Sequence, residues 1–122
     1  MKKVLVVEDN EKNMYLISFI LEKMGHRVLQ ADSGEKGIEL ASREQPDLIL
    51  MDIQLPGIDG LEATKRIRQS GDVPIIAITS FAMTGDRERL LAAGCNGYIE
   101  KPINPETIMG EIAAYLEKPE GK

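Results

Sequence analysis

The sequence has one cysteine, one histidine and no tryptophan among its 122 residues. A lone Cys95 excludes an intramolecular disulfide and agrees with a reducing compartment. No second thiol or nearby histidine supports it as a nucleophile, so Cys95 reads as core or loop filler. Long apolar runs are missing too, and none approaches the roughly 18 residues that span a bilayer. After Met1-Lys2-Lys3 come only four apolar residues, too few for a signal peptide, and no small-residue cleavage site follows. A soluble, cytoplasmic protein is expected. An excess of positive charge is also absent. The net charge of −5 disfavours direct binding to nucleic acid or to an anionic membrane. The basic residues Lys65, Arg66, Arg68, Arg87 and Arg89 read as solvated helix faces among acidic neighbours. No Walker A loop, dinucleotide-binding glycine pattern, internal repeat or low-complexity segment is found.

What is present is one domain's worth of core. Hydrophobic residues make up 43% and charged residues 29%, a globular balance in a chain too short for two domains. Short apolar runs stand at Val4–Val7, Val28–Ala31, Leu48–Met51, Ile75–Ile78 and Tyr98–Ile99. The first, third and fourth are unbroken, as in parallel strands buried on both faces. The second and fifth are weaker, as edge strands are. Helical spacing fills the intervals. Met14, Ile17, Leu21 and Met24 mark a first helix stopped by Gly25. Ser33 caps a second, with Ile38, Leu40 and Ala41, ended by Pro46. Asp59 caps a third, with Leu61, Ala63 and Ile67, and Gly71 follows it. Leu90, Leu91 and Ala93 mark a fourth, closed by Gly94. Asn104-Pro105 opens a fifth, with Ile108, Ile112, Tyr115 and Leu116. Methionines on these faces read as core filler. Five β-α repeats with right-handed crossovers predict a three-layer α/β/α sandwich around a parallel sheet.

The polar residues fall at one edge of that sheet. Glu8 and Asp9 follow the first strand, Asp52 ends the third, Thr79 ends the fourth and Lys101 follows the fifth. Open parallel sheets bind ligands outside the carboxyl ends of their strands. Three carboxylates at such a point cannot all stay ionised without a cation, and hard oxygens suit Mg²⁺. A carboxylate can attack phosphorus, and Lys101 and the Thr79 hydroxyl can hold phosphoryl oxygens. Position 54, two residues after Asp52, is Gln rather than a second Asp. No evident general acid or base for fast hydrolysis is left, so the site suits a switch better than a turnover enzyme. His26, just before the second strand, is expected to be an exposed polar residue and not a phosphodonor.

Four stretches in order now resemble response-regulator receiver domains: Val4 to Asn10, Asp47 to Gly57, Ile78-Thr79 and Tyr98 to Pro102. The resemblance covers roughly residues 3 to 117. Within the family, Met51 to Pro56 and Phe81-Ala82-Met83 are most similar to DivK-type single-domain regulators. The resemblance implies a flavodoxin-like receiver fold with strand order 2-1-3-4-5, a receiver domain over 1–117 and a flexible tail over 118–122. It implies a phosphoacceptor at Asp52, and Mg²⁺ on Glu8, Asp9, Asp52 and the Gln54 carbonyl. Thr79, Lys101 and the Ser80 backbone N–H would hold the phosphoryl group, and Tyr98 would be an aromatic switch coupled to Thr79. The Lys101–Pro102 bond would be cis. Implied partners are a sensor histidine kinase or phosphotransfer protein and a downstream protein reading the fourth helix, fifth strand and fifth helix. Some positions depart from the commonest pattern: Glu8 for Asp, Ser80 for Ala, Ile58 for Met. Phe81 is bulky, and with Gln54 it predicts slow self-dephosphorylation.

The expected function is therefore a non-enzymatic phosphorelay switch, and a stand-alone regulator is the expected form. An N-terminal receiver cut from a longer response regulator or hybrid kinase is the alternative. A haloacid-dehalogenase-type phosphatase needs a second Asp where Gln54 stands. A flavodoxin-like electron carrier needs a hydroxyl- and glycine-rich loop where Glu8-Asp9-Asn10-Glu11 would repel a phosphate.

Overall fold

The structure, a computed structural model, describes residues 2–80 and 84–116. Strands β1 (Lys3–Val7), β2 (Arg27–Ala31), β3 (Leu48–Asp52), β4 (Ile75–Thr79) and β5 (Gly97–Glu100) alternate with five helices. The helices are α1 (Glu11–Lys23), α2 (Gly34–Glu44), α3 (Gly60–Arg68), α4 (Thr84–Ala93) and α5 (Pro105–Leu116). The strands form one parallel sheet in the order β2-β1-β3-β4-β5, as the resemblance implied.

Alternation along the central strands builds two cores, one on each face of the sheet. Leu5, Val7, Ile49, Met51, Ile75 and Ala77 face α2, α3 and α4, where Leu40, Ala63, Ile67 and Leu90 meet them. Val4, Val6, Leu48, Leu50, Ile76 and Ile78 face α1 and α5, against Ile17, Leu21, Ile108 and Ile112. Every residue of β3 and β4 is buried, whereas β2 and β5 are partly exposed edges. Cys95 lies buried in the first of these cores, 4.0 Å from the Thr64 hydroxyl, and burial pushes its thiol up.

The caps explain where the helices start. Asn10, Ser33 and Asp59 each accept a hydrogen bond from the third residue beyond, and Asn104 accepts one from Glu106. Helix α2 stops ahead of Pro46, as the sequence indicated: Gln45 turns left-handed at φ 48°, because a residue ahead of proline is disfavoured in the helical region. His26 is a correction. It is half-buried rather than exposed, and its ring Nδ1 accepts the Lys2 N–H at 3.2 Å. Burial, the N-terminal charge and Lys2 hold it below the usual histidine range.

Candidate functional site: a carboxylate cluster with one ammonium

Parallel strands bring all their carboxyl ends to one edge, and that edge gathers the polar residues. Glu8 leaves β1 directly, and its N–H still pairs with the Ala31 carbonyl of β2. Asp52 is the last residue of β3, opposite Ile78 of β4 in the register. Both acids are buried, at 2% and 1% exposure, although they are charged types. Asp9 beside them is exposed. One carboxylate oxygen from each of Glu8, Asp9 and Asp52 can be chosen so that all three lie within 4.8 Å of one another.

Lys101 approaches from the far side of the sheet. Its Nζ stands 3.3 Å from Asp52 Oδ2 and 3.8 Å from Glu8 Oε1. The Lys101 N–H donates to the Thr79 carbonyl at 2.8 Å, which ties this residue to the end of β4. The Lys101–Pro102 bond is cis. Asp52 Oδ1 accepts the Gln54 N–H at 2.9 Å, so both oxygens of this carboxylate have fixed neighbours. Glu8 is less well served. Its Oε2 accepts the Asn10 N–H at 3.1 Å, but buried Oε1 has no hydrogen-bond donor. Burial pushes the Glu8 carboxyl up to about 7, and a hydrogen bond with Asp52 and that group's charge add to the rise. Asn10 and Lys101 oppose it without cancelling it.

One ammonium among three carboxylates leaves an excess of negative charge, and an orphaned oxygen faces it. Hard oxygen donors in that number are what a small divalent cation takes, with waters completing its shell. The site therefore fits such an ion on the chemistry of its donors.

Thr79 ends β4 and is buried, while Ser80 just beyond it is exposed. Tyr98 pairs with Ala77 in the β4–β5 register. Side chains alternate along a strand, so Tyr98, Ala77 and Thr79 share the face that packs on α3 and α4. Gly60 opens α3 against the backbone of Asp52 and Ile53, where an added Cβ has no room. Phe81 lies outside the described residues, as do Ala82, Met83 and the tail from 118 onward.

Arg68 is what the sequence reading missed. Read there as a solvated cation, it instead forms a latch at the opposite edge of the sheet. Its guanidinium donates to the Gly94 carbonyl at 2.8 and 3.1 Å, to the Val73 carbonyl at 2.7 Å and to Asn96 Oδ1 at 2.8 Å. Asn96 Oδ1 also accepts the Ile75 N–H at 2.8 Å. No local signal marks Gly94 and Asn96, 26 and 28 residues away, as its partners. Arg66 behaves as expected, pairing with Glu62 one turn back at 3.0 Å.

The sequence pattern of the response regulator receiver domain matches residues 4–113. The polar-differentiation response regulator DivK of Brucella ovis is 45% identical over 118 residues, covering 94% of this chain and 96% of that protein. Among solved structures, the receiver domain of the sensor histidine kinase PA1611 of Pseudomonas aeruginosa has a TM-score of 0.87 and 38% identity. The match covers 96% of this chain and 98% of that one, which carries a magnesium ion coordinated in its active-site cleft. Chemotaxis protein CheY4 of Vibrio cholerae superposes with a TM-score of 0.89 at 28% identity, over 93% of this chain and 98% of the other.

Proposed function

The chain belongs to the response regulator receiver family of two-component signalling, and from that premise we propose that Asp52 is the phosphoacceptor of a DivK-like switch. One observation carries the reading: the Lys101 ammonium lies 3.3 Å from the buried Asp52 carboxylate, beside a Glu8 oxygen with no donor. That is a carboxylate of nucleophilic type held beside a cation, with a second buried carboxylate oxygen close by to attract further positive charge.

In this reading a partner histidine kinase or phosphotransfer protein presents phosphohistidine. An Asp52 carboxylate oxygen attacks phosphorus in line, the P–N bond breaks, and the imidazole leaves with its electron pair. Lys101 neutralises the incoming phosphoryl oxygens, and the Thr79 hydroxyl and Ser80 N–H donate to them. Glu8, Asp9, Asp52 and the Gln54 carbonyl would hold Mg²⁺, which supplies charge stabilisation for the transferred group when bound. Once phosphorylated, Asp52 draws Thr79 inward and Tyr98 takes the vacated space on the same sheet face. The α4-β5-α5 surface then changes, and a downstream protein that binds one form better shifts the population. Slow loss of the phosphoryl group belongs to the same reading, because position 54 carries an exposed Gln and no acid or base. We assign the receiver unit to residues 1–117, and no helix among the described residues is long and apolar enough to cross a membrane.

Intact-mass measurement after incubation with a small acyl phosphate and Mg²⁺ tests this. Wild type should gain one phosphoryl group and Asp52→Asn none. Equal labelling of both would move the acceptor elsewhere, and steady phosphate release from a generic phosphoester would favour a phosphatase.

A further inference from the structure

The solvent face of α1 carries two aromatic rings that stay largely exposed. Tyr15 is 73% exposed and Phe19 52%, and their rings lie stacked with centroids 6.4 Å apart. The core does not need them, since Ile17, Ile20 and Leu21 supply the buried side of the helix. Adjacent exposed rings form an apolar seam of the kind that marks an interaction surface.

The charges around the seam say what covers it. Glu11-Lys12 precedes the rings and Glu22-Lys23 follows them, about three helical turns apart, so the two dipeptides project the same way. At about 100° per residue the order around the helix is Glu11, Glu22, Tyr15, Phe19, Lys12, Lys23, all within an arc of about 120°. Both acids therefore flank the rings on one side and both lysines on the other. All four are exposed, and none is ion-paired among the described residues.

We propose that this face is the interface of a weak homodimer, with two copies of α1 side by side and parallel about a two-fold axis. Such an axis carries each acidic flank onto the lysine flank of the second copy. Glu11 faces Lys12 across it, Glu22 faces Lys23, and the rings meet on the axis. An antiparallel two-fold would set acid against acid and lysine against lysine, so the charge pattern selects the parallel form. One helix face is a small interface, which places the dimer at the weak end of the range. The proposal uses none of Glu8, Asp9, Asp52, Thr79 or Lys101 and stands apart from the phosphoacceptor reading.

Sedimentation equilibrium of the full chain, from about 10 µM to about 1 mM, covers the range such an interface needs. The mean mass should climb toward twice that of the monomer. Tyr15→Ser/Phe19→Ser should stay monomeric throughout, with unchanged far-UV circular dichroism and thermal midpoint. Glu11→Lys/Glu22→Lys should weaken association by about tenfold or more, since like charges then meet. Adding Lys12→Glu/Lys23→Glu to that variant should restore it. A monomer at every concentration overturns the proposal and leaves the seam to a different protein. A dimer indifferent to the ring substitutions, or to the acid reversals, overturns it as well.

Discussion

Glu8 is the residue at which physical chemistry and local sequence part company. Its type and its place after β1 are plain in the sequence, but its isolation is not. Only the packed sheet shows that Oε1 is buried without a donor while the carboxyl is pushed up to about 7. The sign of the linkage follows. A carboxyl raised in the folded state binds its proton more tightly there than in the unfolded chain, where 4.5 is the ordinary value. Its contribution to stability is thus full below pH 4.5 and is lost as pH rises through about 7. Glu8→Gln keeps the shape of the protonated acid and never ionises. In metal-free buffer this variant should match wild type near pH 5 and exceed it at pH 8 by an amount of order 2–3 kcal/mol. Denaturant titrations at the two pH values check this. A variant less stable than wild type at pH 8 would show that the Glu8 charge is already compensated within the protein.

At the level of elements, periodicity did most of the work. Unbroken runs such as Ile75–Ile78 are legible as buried strands because sidedness and length leave little else for them to be. Caps such as Ser33, Asp59 and Asn104 are legible because they act on residues only two or three away, and Asn10 caps α1 in the same way although the sequence reading passed over it. The gathering of Glu8, Asp52, Thr79 and Lys101 could be read for a similar reason, since parallel strands put all their carboxyl ends at one edge. Arg68 was opaque because its partners are set by tertiary packing. It joins the end of α3 to the loops before β4 and β5, where Gly94 turns at φ 111°. Arg68→Ala strands the Gly94 and Val73 carbonyls and one acceptor of Asn96, and should cost about 2–3 kcal/mol. Arg68→Lys should recover less than half, because one ammonium cannot replace a planar fork. Thermal midpoints measure both, and a loss under about 0.5 kcal/mol for Arg68→Ala would mean that water replaces the latch.

For the whole molecule, the site is a place where separate strands are held together against their own repulsion. Glu8 and Asp9 come from the end of β1 and Asp52 from β3, on neighbouring strands of the sheet. A divalent cation bound among them exists only in the folded chain, so its binding free energy adds to global stability. The two cores share the central strands, which should make unfolding a single transition that reports the full gain. At a concentration 100 times its dissociation constant, Mg²⁺ should raise stability by about 2.7 kcal/mol. The gain should shrink as pH falls below about 7, because the Glu8 proton would compete for the oxygen offered to the cation. Asp9→Ala removes an exposed carboxylate of the proposed cation site at little cost to the core and should cut the gain at every pH. Asp52→Asn removes the charge of the proposed acceptor and should do the same while also abolishing phosphoryl uptake. Scanning unfolding with and without Mg²⁺ at pH 6 and pH 8 separates this from a general salt effect, which would act equally on all three proteins at both pH values.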